Sequence, residues 1–386
     1  MISSATCIHG VTWKFVKLIP PFGKGRLGGI CVSHAVKSPS VPLFQRAIVE
    51  NIRKAFRSLI KTIIPTFTTI FLSLCLSSLL SAQAKPLKEL RVPYALGGST
   101  GFFWVAHRSG SFEKHGVKVL PIFMRGGREA VQALISRDVF VEQQGSSGVI
   151  TAWAQGAKDL VVIGATGNKL DYVFVSGPAI KKPVDLKGKK IAISQIGAST
   201  DFIARLAVRQ LGLTEKDVVI LGIGSQAERW AALSGGHVDA SVFQPPVTLR
   251  ARKLGFPVWL DFSKIDYEYV VAGPVTTRSF IRAERETVMN FMRGLADGMD
   301  FYRDEKNRDA VLKHLGEFYR STNTEELEET RRVYSQVSTG LPVVTAKALE
   351  NMIASDKVLS TMNINAADIL DLSFLKQLEE ERRTKR

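Results

Sequence analysis

The sequence predicts an α/β fold of two lobes followed by helices. Three observations carry that reading. Short apolar runs alternate with stretches of helical spacing from Leu90 onward, the alternation pauses near residues 172–180 and then repeats, and beyond Ala272 the spacing is helical throughout. Strand–helix alternation builds mostly parallel sheets covered by helices on both faces. Two sets of similar size point to two sheets, hence two lobes.

Residues 1–50 give no regular element, being interrupted by Pro20-Pro21, Pro39 and Pro42. An export signal is expected next. A basic segment (Arg53, Lys54, Arg57, Lys61) precedes an apolar run from Ile63 to Leu80, which ends in Ser81-Ala82-Gln83-Ala84. That order is the signature of a cleavable secretory leader, with cleavage near Ala84. The alternative is a membrane anchor, but the early Pro65, the hydroxyl content and the small-residue ending favour cleavage. The mature chain then starts near Lys85.

From there Leu90–Leu96 reads as a strand, Phe102–His115 as a helix interrupted at Gly110, and Val117–Phe123 as a second strand. Gly126-Gly127 opens a helix carrying Val131, Leu134 and Ile135. Val139–Val141 is a short strand, Gly145–Gly148 leads into a helix through Ala154, and Leu160–Ala165 is a strand.

The second set opens on the most informative stretch, Pro183–Leu213. Lys189–Ser194 suits a buried strand. Gly197 breaks it, and Ser199 or Thr200 can cap a helix. Phe202, Ile203, Leu206, Ala207 and Leu211 fall on one face, and Gly212 can stop the helix in the left-handed conformation. Such a turn aims backbone N–H groups beyond the strand's end, where the helix dipole favours an anion or a carbonyl oxygen. Strands at Asp217–Leu221, Val238–Phe243 and Pro257–Leu260 follow, with helices around Trp230 and from Pro245-Pro246 to Leu254. Helices are then expected at Phe280–Tyr302, Asn307–Tyr319, Glu325–Val337 and Ala346–Ser360, and a frayed charged tail at Glu379–Arg386.

Charge must be divided along the chain before it is interpreted. The first 84 residues hold ten Lys or Arg and one acidic residue, Glu50, so +9 of the net +16 sits in the leader and +7 in the rest. No basic stripe interleaved with aromatics follows, so no nucleic-acid partner is expected. Cys7, Cys31 and Cys75, all the cysteines there are, also lie in the leader. The mature chain therefore needs neither disulfides nor a reducing compartment.

Phe112–Val119 (FEKHGVKV), Gly126-Gly127 before a helix, Gly156–Leu160 (GAKDL), Val184–Lys190 (VDLKGKK), Leu211–Val218 (LGLTEKDV) and Ala232–Ala240 (ALSGGHVDA) occur in that order. As a set they resemble the periplasmic substrate-binding proteins of nitrate/taurine/aliphatic-sulfonate-type ABC transporters, which are related to the thiamine-pyrimidine-precursor-binding proteins. The resemblance spans about residues 88–300. One departure is Arg137–Glu142, where the family usually has a Gly-Asp-x-Asp turn. The resemblance implies a two-lobed periplasmic-binding-protein fold (type II). It divides the chain into an extension and signal at 1–84, a first lobe at 85–172 plus 273–386, and a second lobe at 173–272. Crossovers fall near Tyr172–Ser176 and Tyr269–Gly273. It also implies hinge closure on a small ligand, an ABC permease with a cytoplasmic ATPase as partner, a monomeric mature form and periplasmic location.

Ligands in open α/β sheets lie beyond the carboxyl ends of the strands. That rule selects Ser99, Thr100, Phe102, Ser146, Ser147, Thr166, Tyr172, Ser199, Thr200, Gln226 and Gln244, a set suited to a small polar or anionic solute. For each, the alternative is a helix cap or core packing; Trp230 and Phe243 are further candidates for an apolar wall. No cofactor or metal is expected, because His107, His115, His237 and His314 lack ligand spacing. Nor is catalysis: no nucleophilic cysteine, Gly-x-Ser-x-Gly elbow or His-Glu-x-x-His motif occurs in the mature chain. A pyrimidine-synthase-like enzyme and a ligand-sensing module are the alternatives.

Overall fold

The computed structural model describes residues 50, 51, 53, 54, 86–124, 126–356 and 358–384. The chain divides between Gln83 and Ala84, and both sheets belong to the part from Ala84 onward. The expected apolar leader segment, its cleavage site and all three cysteines lie outside the described residues.

The first sheet joins β1 (Lys88–Tyr94), β2 (Val117–Phe123), β3 (Val141–Gln144), β4 (Leu160–Val162), β5 (Gly167–Lys169) and β11 (Glu268–Thr277). Its order is β2-β1-β3-β11-β4, with β5 paired to β11. The second sheet has the order β10-β6-β9-β7-β8. Its strands are β6 (Val173–Ser176), β7 (Lys190–Ile193), β8 (Val219–Gly222), β9 (Ala240–Phe243) and β10 (Val258–Asp261). The chain thus leaves the first sheet between β5 and β6 and returns between β10 and β11; the segments expected as plain crossovers are strands.

Strands that grow from βα units are parallel, as expected: β1 with β2 and β7 with both β8 and β9. The strands that carry the chain between lobes are not. β11 runs antiparallel to β3 and β4, and β6 antiparallel to β9 and β10. A strand arriving from the other lobe enters its sheet from the end at which the βα strands finish, so the sheets are mixed.

Helices α1 (Thr100–Arg108), α2 (Gly127–Ile135) and α3 (Ser147–Ala154) belong to the first set, and α4 (Ser199–Gln210), α5 (Gln226–Ser234) and α6 (Val247–Lys253) to the second. Then come α7 (Arg278–Arg303), α8 (Arg308–Tyr319), α9 (Thr324–Val337), α10 (Ala346–Ser355) and α11 (Ser373–Thr384). In α7, Met292, Leu295, Met299 and Tyr302 repeat at helical spacing and are buried with Phe102, Phe103 and Ala106 of α1. Gly298 permits that approach: a Cβ there would stand 2.1 Å from the Ala106 Cβ.

Between α2 and β3, Arg137 takes the left-handed φ of 65°, a region that favours glycine. The charged C-terminal segment is helical through Thr384, not frayed. Arg293 grips Glu381 through Nε and Nη2, at 3.0 and 2.6 Å, and the Arg382 guanidinium donates to the Gly340 carbonyl at 3.0 Å.

One apolar cluster runs from Val131, Leu134 and Val149 in the first lobe, through Tyr172, Tyr269 and Val271, to Ile191, Ile203 and Val242 in the second. The connection between lobes is therefore itself core.

Candidate functional site

The carboxyl ends of both sheets meet around a cavity of ≈ 70 Å³. The first lobe supplies the loop after β1 (Ala95, Leu96, Gly97, Thr100), Phe123, Gly126, Gln144 and Gly145. The second supplies Ser194, Ser199, Thr200, Ser225, Gln226, Arg229 and Gln244, and Tyr172, Val271 and Ala272 form the hinge side. Contacts tie the two sides together: Gln195 donates to Glu129 at 2.8 Å, the Ser147 and Ser199 hydroxyls stand 3.3 Å apart, and Arg250 donates to both oxygens of buried Glu326 at 3.2 and 2.7 Å.

Local sequence explains how each group is held. Ser225 caps α5, its Oγ accepting from the Glu228 N–H while Glu228 accepts from the Ser225 N–H at 2.6 Å. One helical turn separates Gln226 from Arg229, so both present to the cavity. Arg229 is 3% exposed. It donates through Nη1 to the Gly224 carbonyl at 2.6 Å and through Nη2 to the Val242 carbonyl at 3.4 Å; its Nε is unpartnered. Among the described residues, no carboxylate accepts a hydrogen bond from it. Burial pushes the guanidinium down to about 10, which leaves it charged at neutral pH.

Gln244 is fixed at both ends. Its N–H donates to Gln226 Oε1 at 2.8 Å and its Nε2 to Asp171 Oδ1 at 2.6 Å. Asp171 Oδ2 accepts from the Tyr334 hydroxyl at 2.8 Å, and burial pushes its carboxyl up to about 6 despite both donors. Gly98, at φ 49°, makes room for the amide: a Cβ there would stand 2.2 Å from Gln244 Nε2. Gln144 is the reverse case, buried with both amide atoms unpartnered.

Of the residues selected from sequence, Thr100, Tyr172, Ser199, Thr200, Gln226 and Gln244 line the cavity. Ser99, Phe102, Ser146, Ser147 and Thr166 do not. Phe102 packs on Tyr302 at 4.5 Å in the first-lobe core. Thr166 accepts from Gln143 Nε2 and donates to the Ala272 carbonyl, which ties β3 to β11. Ser147 faces a separate groove beside Phe202 and Tyr269, and the buried Ser99 and Ser146 hydroxyls are unpartnered outside the lining. Trp230 and Phe243 pack in the second-lobe core, Trp230 also on Phe256. The expected cap at Ser199 or Thr200 is not made: Ala198 is the cap residue. Thr200 Oγ1 instead accepts from the Ser194 N–H at 2.9 Å and bonds its hydroxyl at 2.7 Å, closing the turn.

Sequence reading missed Arg229, Gln144 and Phe123. The available signal for Arg229 was its spacing from Gln226; Gln144 ends a strand that the sequence places at Val139–Val141 and the structure at Val141–Gln144.

A family model described as NMT1/THI5 like matches residues 99–307. A Bacillus subtilis (strain 168) protein named "Putative aliphatic sulfonates-binding protein" is 27% identical over 323 residues, covering 78% of this chain and 91% of that protein. Among solved structures, the alkanesulfonate-binding protein SsuA from Xanthomonas axonopodis pv. citri superposes with a TM-score of 0.61 at 19% identity, covering 75% of this chain and 100% of that one. The periplasmic nitrate-binding protein NrtA from Synechocystis PCC 6803 gives 0.54 at 11% identity, with 63% and 70% covered. The last two likenesses are of fold: the periplasmic-binding-protein fold, here with mixed sheets and additional C-terminal helices.

Proposed function

The chain belongs to the NMT1/THI5-like family, and from that premise we propose that it captures a small anionic solute between its lobes and delivers it to an ABC-type import permease. The observation that carries the charge of the solute is Arg229. A buried guanidinium whose hydrogen-bond partners are neutral carbonyls, with the Glu228 carboxylate acting on it through space, presents positive charge in a low-dielectric site, and an anion is the natural complement. Gln144, with donor and acceptor unused, and the hydroxyls of Thr100 and Ser199 supply further polar contacts around it. Binding without catalysis agrees with the binding protein named among its relatives. Export to the periplasm after cleavage near Ala84, a monomeric mature form and a cytoplasmic ATPase behind the permease complete the reading. Among the described residues no helix is long and apolar enough to cross a membrane.

Calorimetric titration of the purified protein with methanesulfonate, acetate, nitrate and methylammonium tests the charge. At least one of the three anions is expected to bind and methylammonium is not. Binding of methylammonium, or silence from every anion, would overturn the reading.

A further inference from the structure

We infer that Phe123 is a specificity-determining residue, selecting organic anions that carry a ring-sized apolar group over bare inorganic oxyanions. The inference rests on the anionic reading of the cavity and adds what lies outside it.

Phe123 ends β2 directly opposite Tyr94 at the end of β1. Its ring meets Tyr94 edge-on at 6.0 Å, and Tyr94 is backed by Trp104 at 5.6 Å and Phe318 at 6.1 Å. The aromatic wall is thus anchored in the first lobe, yet its outermost ring is 44% exposed. The other residues lining the cavity are buried or half-buried, so Phe123 marks the mouth. A single exposed phenylalanine is ordinary on a protein surface. This one lies on the lining of a site whose interior is polar, and half-buried Leu96 and Ala95 share that lining.

Placement points the same way. The polar groups that could hold an anionic head, Arg229 and Gln144, are buried in the interior of the cavity, so the part of a solute that extends toward the mouth meets the Phe123 ring. Covering it removes apolar area from water and allows an aromatic pair. A bare oxyanion uses neither.

The test compares matched pairs on the purified protein: methanesulfonate with benzenesulfonate, and acetate with benzoate. Within the pair whose head binds, the aryl member is expected to bind at least about tenfold more tightly. Phe123→Ala should remove most of that advantage by weakening the aryl member far more than the methyl member, and Phe123→Leu should restore part of it. Because the ring is exposed, neither substitution threatens folding, and circular dichroism verifies this. Equal affinities within the binding pair, or a Phe123→Ala loss shared equally by both members, would overturn the inference while the anion site stands. If no member of either pair binds, this inference fails, and the anion reading fails with it when nitrate is silent as well.

Discussion

On the second-lobe wall of the cavity, Arg229 and Gln244 have partners before any solute arrives: two carbonyls, the Gln226 amide and the Asp171 carboxylate. On the first-lobe wall, the Gln144 side chain has none. One wall is held in place by its own hydrogen bonds, and the other keeps a buried amide whose hydrogen-bonding capacity is unused. The contrast teaches where stability and affinity diverge. A group already satisfied contributes to the fold in either state, whereas an unsatisfied buried amide destabilises the empty protein and gains when a ligand meets it. Charge rests on the rigid wall and adaptable donors on the other.

The largest expected effect breaks the rigid wall. Arg229→Gln should weaken binding of the anion identified by titration about 10- to 100-fold, the scale of a charged hydrogen bond in a dry site. Retained affinity in calorimetry would place the anion elsewhere.

Next is the support beneath that wall. The Asp171 carboxyl rises from its ordinary 3.8 to about 6, so between those values the folded state binds more proton than the unfolded. Its contribution is fully present below about pH 4 and is lost as pH rises through 6, an upper bound of roughly 3 kcal/mol. Denaturant titrations at pH 4.5 and 7 should therefore show Asp171→Asn gaining on the wild type as pH rises. Parallel pH profiles for the two proteins would refute the assignment.

The sharpest comparison is Gln144→Met. Removing an unsatisfied buried amide should raise stability of the empty protein by about 1 kcal/mol and lower affinity by about 2- to 10-fold. A loss of both would mean that Gln144 supports the fold.

Smallest is the pair of threonines. The Thr200 hydroxyl closes the β7–α4 turn, so Thr200→Ala should cost about 1 kcal/mol of stability with little change in affinity. Thr100→Ala should do the opposite, weakening binding by about 2- to 10-fold. Calorimetry and thermal melts on both variants separate the roles.

These residues also show what a sequence can disclose. Val117–Phe123 reads as a strand and is one to the residue, and Gly212 stops its helix at φ 77° as expected, because both signals are local. Strand direction is not local: nothing in Glu268–Thr277 says that it inserts antiparallel between β3 and β4. Gly167–Lys169 and Val173–Ser176 are too short for a pattern of their own and exist through their pairings. The same distinction governs the site. Loops beyond strand ends follow from topology, so Thr100, Ser199, Gln226 and Gln244 were accessible to reasoning. An arginine within a helix reads as surface, and Arg229 becomes a site residue only when β9 and the Gly224 loop close over it. Glu379–Arg386 reads as loose for the matching reason, since the partners Arg293 and Asp300 of its charges lie some eighty residues away.

The apolar cluster through Tyr172, Tyr269 and Val271 has a thermodynamic consequence. Two lobes joined by a wet linker melt separately, each with its own midpoint and enthalpy. Here the linker's side chains are packed into the interiors of both lobes, so neither interior can be hydrated without exposing its neighbour's. Heat should find one cooperative unit, with calorimetric and van't Hoff enthalpies in agreement, and local opening confined to the loops around the cavity.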